Sequence, residues 1–531
     1  MKNVELLVRI LEKAGVRWVF GVPSGPVLPL IEALRESAID FVLTASETSA
    51  GFMAATVGAL TGVPGTCVST LGPGATNMAT GVGCAWLDRS PLIAITCNVE
   101  TSWIDRRVQM RIDHHALFKP ITKGTYALRS GGLADVLAEA LVVAKAEPPG
   151  PVHLDLPEDV ATDETTEVPK EKKLRHLLPE IPEAIFRQVS AALGKSRRPL
   201  VVTGLTFSRC GEREAFLRFI EKQNLPFVST LHGKGFLPEN HPNWVGVLGR
   251  ARRTDVQAFI DKADLILTMG YDPIEMNYEE WVGGTSVIHI STEHAEVGRE
   301  VKILLNEAGD LDLAIGRLSE LRPVSNEWSD MERETHRRTL EKTLRPATGG
   351  FGAHHVIDIL RKKLPADGIL AYDVGAHTHQ IATQWRTDLP RTCLATNGWS
   401  SMGYGMPAAY AAKLVYPDRK VVGVVGDGCF QMTVGELTLA RRQRLAVPIV
   451  VLNDGWLGLM KVKQERKRYP LSGVFLGDPP DSPPHYFGVP CRSARNDKEF
   501  GDAVEWGLNL DGPTVIEAFI DVAPYSDTVF D

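Results

Sequence analysis

Residues 421–460 read VVGVVGDGCFQMTVGELTLARRQRLAVPIVVLNDGWLGLM, and this stretch decides the fold. Its first apolar run, Val421–Val425, leads into Gly-Asp-Gly, and its second, Ile449–Leu452, leads into Asn-Asp-Gly. A helix-like pattern separates the two runs, so the stretch predicts two parallel strands joined by a helix. Asp427 and Asp454 then fall at the carboxyl ends of these strands, where open α/β sheets bind their ligands.

The acidic residues at the two strand ends indicate a site for a metal and a diphosphate. Gly426 and Gly428 flank Asp427 and let backbone N–H groups approach a phosphate, and the N-terminus of the following helix favours the same negative charge. Mg²⁺ is held in proteins by few carboxylates together with substrate phosphates. Either segment alone is typical of a simple turn, so the prediction depends on both segments occurring together.

The rest of the chain repeats the alternation of short apolar runs and helical patterns. Two segments divide it into three regions: 158–182, which is polar and lacks periodicity, and 325–345, which is strongly charged and has no buried strand pattern. We therefore predict an α/β fold of three domains, each with a mostly parallel sheet flanked by helices, at residues 1–160, 183–322 and 346–531. Besides the two strands above, the predicted strands are Trp18–Phe20, Phe41–Thr44, Gly65–Ser69, Leu92–Thr96, Val152–Leu156, Leu200–Thr203, Pro226–Ser229, Leu265–Met269, Val287–Ile290, Ile369–Asp373 and Thr514–Ala518.

Composition excludes several classes of protein. The 531 residues are 44% hydrophobic and 23% charged, which is typical of about three globular domains and not of a disordered chain. The net charge of −7 offers no basic surface for nucleic acid, and no apolar run is long enough to predict a membrane span. The seven scattered cysteines and the charged helical pattern at residues 4–13 favour a cytoplasmic protein without a targeting segment.

The metal and diphosphate segment resembles that of the thiamine-diphosphate (ThDP) enzymes. Asn453 and Asp454 follow Asp427 by 26 and 27 residues, as in the metal motif of that family. The resemblance implies that Mg²⁺ is held by the side chains of Asp427 and Asp454 and by the carbonyl oxygen of Trp456. It also implies a pyrimidine-binding first domain, a central domain and a diphosphate-binding third domain. Because that family builds each site between the first region of one subunit and the third region of another, we expect at least a homodimer and, by the same resemblance, a homotetramer.

Other segments resemble the cofactor-binding segments of the same family. They are ETSAGFMAATVGALTG (47–62), LGPGATNMATGV (71–82), DVGAH (373–377) and NGWSSMGYGMPAA (397–409). The resemblance implies that Glu47 activates the cofactor by a hydrogen bond to its aminopyrimidine ring and that Met402 supports its bent shape. The implied cofactor-binding residues are Gly72, Asn77, His377, Ser401, Met402, Gly426, Gly428, Cys429 and Asp454.

Each of these residue types also has a purely structural interpretation. Glu47 begins a predicted helix, where a carboxylate complements the helix dipole. Met402 is of a type that commonly fills cores, and His377 is of a type that commonly forms hydrogen bonds in turns. A nucleophilic role for the Cys429 thiol is not predicted.

Two segments resemble acetolactate synthases, and the catabolic, flavin-free type more than the biosynthetic type: ALFKPITK (116–123) and MGYDPIEMNYEEW (269–281). The second occupies the position at which biosynthetic enzymes bind FAD, so FAD is not expected to be required. The resemblance implies ThDP- and Mg²⁺-dependent decarboxylation of a 2-oxo acid, with pyruvate as the first candidate, and ligation of the acyl-carbanion equivalent to a carbonyl acceptor. Such an enzyme is a lyase or a transferase. The alternatives are a decarboxylase that releases an aldehyde and a ThDP-fold protein retained for binding or regulation.

Three polar residues before the ALF segment are candidates for catalysis. Catabolic acetolactate synthases carry a His-Gln pair there, and Gln109 is the nearest equivalent. His114 and His115 suit proton transfer because histidine titrates near neutral pH, although a partly exposed pair at a helix end is an equal interpretation. The basic stretch 461–468 (KVKQERKR) is predicted to be either a mobile loop over the site or a solvated helix face.

Overall fold

The computed structural model describes residues 1–172, 178–249, 253–347 and 349–529. Its three sheets follow one another along the chain, are dominated by parallel pairing and are flanked by helices, which confirms the predicted fold class. The predicted linker, 158–182, includes residues 173–177, which lie outside the described residues. The domain boundaries themselves stay predictions.

The first sheet lies within residues 18–157 and is built from six parallel strands. These are β1 Trp18–Gly21, β2 Asp40–Leu43, β3 Gly65–Ser69, β4 Leu92–Asn98, β5 Thr125–Ala127 and β6 Pro151–Pro157. Their order is β2-β1-β3-β4-β6-β5, and β3, β4 and β6 are buried along their whole length, as expected of a sheet covered on both faces. The helices are α1 Asn3–Lys13, α2 Leu28–Arg35, α3 Glu47–Thr61, α4 Pro73–Leu87, α5 His114–Phe118, α6 Leu133–Lys145 and α7 Glu158–Thr162.

The second sheet, within residues 199–308, also has six parallel strands. They are β7 Pro199–Thr203, β8 Phe227–Thr230, β9 Trp244–Leu248, β10 Leu265–Met269, β11 Ser286–Ser291 and β12 Ile303–Ala308. Their order, β12-β11-β10-β7-β8-β9, reverses between β7 and β10 and so opens a crevice there. The helices are α8 Glu183–Lys195, α9 Arg213–Lys222, α10 Thr254–Ile260, α11 Leu311–Glu320 and α12 Asp330–Thr343.

The third sheet, within residues 369–519, carries the stretch quoted first. Its strands are β13 Ile369–Tyr372, β14 Cys393–Leu394, β15 Val421–Gly426, β16 Pro448–Asn453, β17 His485–Tyr486, β18 Val489–Ala494 and β19 Thr514–Phe519. The order is β14-β13-β15-β16-β19-β18-β17, with β17 and β18 antiparallel and a switch point between β13 and β15. The helices are α13 Ala353–Lys363, α14 Ala376–Gln384, α15 Gly405–Val415, α16 Asp427–Thr433, α17 Leu437–Arg442, α18 Gly458–Arg466, α19 Asp497–Asn509 and α20 Tyr525–Thr528.

Six strands were not predicted from the sequence, and their character explains why. β5, β14 and β17 are only two or three residues long, and β12 and β18 mix apolar with polar residues. Strands of this kind can be identified only from the strands with which they pair. β9 is different, because its sequence is an apolar run that could have been predicted as a strand. The charged segment 325–345 holds α12 and, as expected, no strand. Short 3₁₀ turns occupy Gly25–Val27, Thr101–Trp103, Lys119–Ile121, Thr206–Arg209, Tyr278–Glu280 and Val434–Glu436.

The first and third regions share one hydrophobic core. It is formed where α3 of the first region packs against α15 of the third, and the rings of Phe52 and Tyr404 meet edge to face with centroids 5.7 Å apart. α3 also crosses α4 at close range, since a Cβ atom on Gly51 would lie 2.7 Å from the Cα atom of Gly81. The helix that begins with Glu47 is therefore held on two sides. None of the described helices has the length and hydropathy needed to cross a bilayer.

Candidate active site

A cavity of about 260 Å³ opens at the carboxyl ends of β13, β15 and β16, at the switch point of the third sheet. Its walls come from the turns that follow these strands and from the first residues of α18. Eight residues predicted to bind the metal or the cofactor line it together: His377, Met402, Gly426, Asp427, Gly428, Cys429, Asp454 and Trp456. The structure thus places in one cavity residues that are separated by up to 79 positions in the chain (456 − 377).

Asp427 and Asp454 form the acidic end of this cavity. The carboxylate of Asp427 accepts backbone N–H groups from Gly428 and Gly455, both at 2.8 Å, and from Asp454 at 3.3 Å. The carboxylate of Asp454 accepts the N–H of Trp456 at 2.8 Å. Burial raises the pKa of Asp427, and burial together with the neighbouring charge of Asp427 raises the pKa of Asp454 to about 8. Two buried carboxylates that oppose each other's ionisation form a site that a cation would stabilise.

The oxygen atoms present suit Mg²⁺ and leave room for a phosphate. The Gly455 carbonyl accepts the N–H of Leu476 and the Val474 carbonyl accepts the N–H of Leu457, both at 2.8 Å, and Trp456 lies between Gly455 and Leu457 in an isolated bridge with Phe475. Within the described residues, no group of three or more His, Cys, Asp or Glu side chains could hold a metal. Two carboxylates and one carbonyl form an incomplete set of ligands, which is the kind that Mg²⁺ completes with phosphate oxygens and water.

The cavity also offers groups for an anion. α14 begins at its wall with Ala376 and α16 begins at Asp427, and the first N–H groups of both helices favour negative charge. The His377 ring is buried and hydrogen-bonded to the backbone of Asp373, and burial lowers its pKa to about 4. Its Nε2 atom has no hydrogen-bond partner among the described residues, and a phosphate oxygen would supply one and favour the protonated ring. The cavity therefore fits a diphosphate.

Residues from segment 397–402 and the residue after the Gly-Asp-Gly turn complete the walls. The Met402 methyl group lies 3.3 Å from the position that a Cβ atom on Gly428 would occupy. The Cys429 thiol donates to the carbonyl of Val374 at 3.3 Å, and burial raises its pKa, so it is held as an inert thiol. The Ser401 hydroxyl donates to the Met402 carbonyl at 3.0 Å, and it is Ser400, with φ of +54°, that lines the cavity.

Two residues that shape this region were not predicted as site residues from the sequence. Tyr525, in α20, lines the cavity with its hydroxyl group against Asp454, and nothing near it in the sequence marks it. Asp373 directly follows β13, and its carboxylate accepts N–H groups from Val374 at 2.8 Å and from Gly403 and Gly405 at 2.9 Å. It ties the diphosphate turn to the segment that follows Met402, and its place directly after an apolar run was the available signal.

Glu47 and the Gly-Pro-Gly turn lie in the first region, after β2 and β3. The Ser46 hydroxyl caps α3 by accepting the N–H of Ser49 at 3.2 Å, which makes Glu47 the first residue of the helix. The Glu47 carboxylate is 9% exposed and accepts the side-chain amide of Asn77 at 3.1 Å. Its other oxygen lies 3.2 Å from the position of a Cβ atom on Gly74, so the turn leaves room for the carboxylate. No described residue of the first region lines the cavity in the third region of the same chain.

The His-His pair divides into two different environments. The His114 side chain is fully buried, its Nδ1 lies 2.9 Å from Asp155 Oδ1, and its Nε2 accepts the Gly72 N–H at 3.2 Å. Because Nε2 accepts, the ring proton is on Nδ1, and both nitrogens are engaged in holding the turn. The His115 side chain is 37% exposed and bonded at Nδ1 to Thr125 at 2.9 Å.

The residues before this histidine pair pass close to the Gly-Pro-Gly turn that begins at Gly72. Gly72 has φ of +59°, and a Cβ atom on it would lie 2.1 Å from the Met110 carbonyl oxygen, so glycine is required there. Gln109, next to Met110, is exposed in the chain. The basic stretch 461–468 is helical through Arg466, as the solvated helix interpretation expects, and the preceding residues of α18 line the cavity.

Three family models match the chain, in the order of the three sheets. They describe the thiamine pyrophosphate enzyme: its N-terminal TPP binding domain at residues 1–117, its central domain at 186–318 and its C-terminal TPP binding domain at 373–518. The chain therefore belongs to the thiamine pyrophosphate enzymes, as the resemblance of its motifs predicts.

Among similar proteins are acetolactate synthases. The chain is 32% identical over 473 residues to the acetolactate synthase large subunit of Lactococcus lactis subsp. lactis (strain IL1403), covering 87% of this chain and 82% of that protein. It is 30% identical over 536 residues to the acetolactate synthase isozyme 1 large subunit of Escherichia coli (strain K12), with 98% and 94% covered. It is 29% identical over 544 residues to the acetolactate synthase of Bacillus subtilis (strain 168), with 99% and 94% covered.

Proposed function

We propose that the protein is a ThDP- and Mg²⁺-dependent enzyme that decarboxylates a 2-oxo acid, with pyruvate as the first candidate, and ligates the acyl fragment to a carbonyl acceptor, as acetolactate synthases do. The observation that carries the proposal is the buried pair Asp427 and Asp454 in a cavity that also offers the Nε2 atom of His377, for which the described part of the chain supplies no hydrogen-bond partner. The pair suits a divalent cation, and the histidine with the two helix N-termini suits a diphosphate. The acetolactate synthase relatives, matched over most of their length, support the same reaction.

The chain's own residues divide the work of holding the cofactor. Asp427, Asp454 and the Trp456 carbonyl would hold Mg²⁺, and Gly426, Gly428 and His377 would hold the diphosphate. Met402, above Gly428, would support the bent cofactor. When bound, ThDP supplies the electron sink for decarboxylation.

Glu47 would keep a proton in hydrogen-bonding position against the aminopyrimidine ring. Its burial and its bond to Asn77 fix the carboxylate in one orientation. Because no described residue of the first region lines the cavity of its own chain, we propose that Glu47 serves the third region of a second subunit. The enzyme is then at least a homodimer, and we propose a homotetramer in the cytoplasm.

We propose that FAD is not required. The crevice of the second sheet, at the ends of β7, β10 and β11, has a volume of about 370 Å³ and is lined by Asp272, Glu293 and Glu296. Arg89, the arginine that the described residues contribute to its lining, is already paired with Asp272 at 2.8 Å and lies 3.6 Å from Glu293. An acidic crevice whose cation is neutralised is a poor site for the phosphates of a dinucleotide.

Purified protein given ThDP, Mg²⁺ and pyruvate, without FAD, should release CO₂ and form acetolactate. Product analysis by chiral chromatography and CO₂ detection checks this, and chelation of the metal with EDTA should abolish both products. Acetaldehyde in place of acetolactate would favour the simple decarboxylase. No CO₂ from pyruvate or from a panel of longer 2-oxo acids would contradict the proposal, and turnover that appears only with added FAD would contradict its flavin clause.

The two adjacent histidines should respond differently to replacement. We expect H115Q to lower kcat by about 10²-fold if His115 transfers a proton, the lower end of the range for general acid–base catalysis. We expect H114Q to lower stability by about 1–3 kcal/mol, because it removes one of the hydrogen-bond donors to the buried carboxylate of Asp155, to which Thr96 and Asn98 also donate. Steady-state kinetics and thermal unfolding of both variants separate the two roles.

Each histidine variant is the control for the other, since the residues are adjacent. Unchanged turnover in H115Q would remove His115 from the mechanism. If H114Q kept a normal melting temperature and lost about 10²-fold in kcat, His114 would be the residue that transfers a proton.

A further inference from the structure

A buried cluster of three charged side chains joins the three regions of the chain, away from the residues assigned above. Asp88 directly follows α4 of the first region, and His232 and Glu275 follow β8 and β10 of the second. We call Asp88, His232 and Glu275 the junction cluster. Their side chains are 9%, 15% and 1% exposed.

His232 lies between the two carboxylates. Its Nδ1 is 3.5 Å from Glu275 Oε1, its Nε2 is 3.8 Å from Asp88 Oδ1, and Nε2 also lies 3.2 Å from the Ala395 carbonyl oxygen of the third region. Nε2 has the Ala395 carbonyl as its hydrogen-bond acceptor, whereas Nδ1 has no hydrogen-bond partner among the described residues, so the two carboxylates act on the ring through their charge. Glu275 is fixed in turn, since its carboxylate accepts the Leu205 N–H at 2.7 Å.

Asp88 connects this imidazole to the segment that carries Met402. The Asp88 carboxylate accepts the N–H of Gly398 at 2.8 Å and that of Asn397 at 3.3 Å. The side-chain amide of Asn397 donates to the Glu275 carbonyl at 3.3 Å, so the segment is bound to two members of the cluster. Asn397 is five residues before Met402 (402 − 397).

Glycines bring the same segment into direct contact with α4. A Cβ atom on Gly398 would lie 2.7 Å from Leu87 Cβ, and one on Gly83 would lie 2.6 Å from the Trp399 ring. The segment is therefore pressed on the end of the helix that also positions Asp88. It leaves this contact at Ser400, whose φ of +54° is a conformation that non-glycine residues rarely adopt. An unusual backbone conformation persists where surrounding contacts hold it.

We propose that His232 and Asp88 are positioning residues for segment 397–402: His232 fixes the Asp88 carboxylate, and Asp88 fixes the backbone that presents Met402 to the cofactor. This proposal rests on the proposed function, in which Met402 supports bound ThDP. Neither side chain lines the cavity at Asp427. Both act through the backbone of Asn397 and Gly398.

The charge on His232 gives this role a pH dependence. Burial works to lower its pKa, but Asp88 and Glu275 outweigh burial and raise it to about 9. His232 and Asp88 line a small cavity of about 80 Å³. The other titratable groups in its lining are Lys234, Arg391, Cys84, Cys393 and Tyr404, and Lys234 is already paired with Glu239 at 2.8 Å. The histidine thus holds its positive charge at neutral pH and loses it above about pH 9.

Amide hydrogen exchange of the apo protein measures this anchoring without any cofactor. At pH 7, H232Q and D88N should each speed exchange of the Asn397 and Gly398 amides by about tenfold, since opening of the segment becomes easier. The double variant should be no worse than either single variant, because both changes break one connection. H232K, which retains the charge beside the 80 Å³ cavity, should restore most of the protection.

The same variants should bind ThDP with Mg²⁺ about tenfold more weakly by titration calorimetry. Wild-type affinity should fall as pH rises through about 9, and H232Q should lack this fall. H241Q is the matched control, because His241 is 14% exposed and pairs with Glu221 at 3.4 Å in the same region but far from the segment. It should change neither exchange nor affinity.

Two results would overturn the proposal. One is wild-type exchange at Asn397 and Gly398 in both H232Q and D88N, and the other is additive effects of the two changes. If a variant is too unstable to purify, the other single variant and H232K still decide the question. A wild-type protein that bound no ThDP would contradict the proposed function instead, and the exchange comparison on the apo protein would still decide the anchoring.

Discussion

Replacing Glu47 with glutamine should lower kcat by about 10²–10⁴-fold, the range for loss of a group that acts in proton transfer. Glutamine keeps the shape of the side chain, and its carbonyl oxygen can still accept from Asn77, so the local fold should survive. What it loses is a carboxyl group that can share a proton with the aminopyrimidine ring. Steady-state kinetics with saturating ThDP, together with calorimetric measurement of ThDP binding, checks this expectation.

Glu158 provides a matched control for Glu47. Both are the first residue of a helix that follows a strand of the first sheet, but Glu158 is exposed. E158Q should cost about 0.3–1 kcal/mol of stability through the helix dipole and leave kcat unchanged. If E47Q behaved in the same way, Glu47 would be a capping residue, and the proposed activation would be wrong.

Replacing Asp454 with asparagine should have opposite effects on the apo and the loaded protein. In the loaded protein, D454N removes a proposed Mg²⁺ ligand, and ThDP affinity should fall by at least the roughly 10–100-fold that loss of an outer-shell partner causes. In the apo protein, D454N removes a buried carboxyl group whose pKa is raised to about 8 by burial and by Asp427. The apo variant should therefore melt at a higher temperature than wild type above about pH 8.

The raised pKa of Asp454 determines the direction in which the stability of the apo protein changes with pH. Because the folded pKa of Asp454 lies above its unfolded value, the wild-type stability that it contributes is complete below about pH 3.9 and is lost as pH rises through about 8. D454N should flatten that fall. Thermal unfolding in EDTA between pH 5 and 9, and calorimetry with ThDP and Mg²⁺ at pH 7, measure the two effects.

Asp264 is a suitable control for Asp454, since its carboxylate also accepts backbone N–H groups, those of Arg197 and Arg198, but it lies in the second region. D264N should lower stability and leave ThDP affinity unchanged. Wild-type ThDP affinity in D454N would remove Asp454 from the ligand set. If the melting temperatures of apo wild type and apo D454N changed with pH in parallel, the raised pKa of Asp454 beside Asp427 would be contradicted.

Local sequence patterns were sufficient to predict which candidate site residues lie at the end of a buried strand. The two apolar runs of 421–460 predict β15 and β16, and the acidic residue after each run then has to lie at one edge of the sheet. Parallel strands carry their carboxyl ends to the same edge, which is a geometric consequence of the pattern itself.

The roles of the histidines could not be obtained in that way. His114 and His115 are adjacent in the sequence, yet one is fully buried between Asp155 and Gly72 and the other faces solvent. His232 stands in no motif, and its charge depends on Asp88 and Glu275, which come from two different regions of the chain. A pKa is set by burial and by charges within a few ångströms, and sequence distance carries no information about either.

By itself, the sequence determined the class of fold, and it predicted the edge of the third sheet and the pair of acidic residues at which we propose that the cofactor binds. These follow from periodicity and from the direction of parallel strands, which are properties of short segments. Only the tertiary structure decided which groups meet across the chain: Tyr525 against Asp454, Asp373 between two turns, and the junction cluster behind segment 397–402. Side chains far apart in sequence become neighbours through the packing of whole layers, so their chemistry exists only in the folded protein.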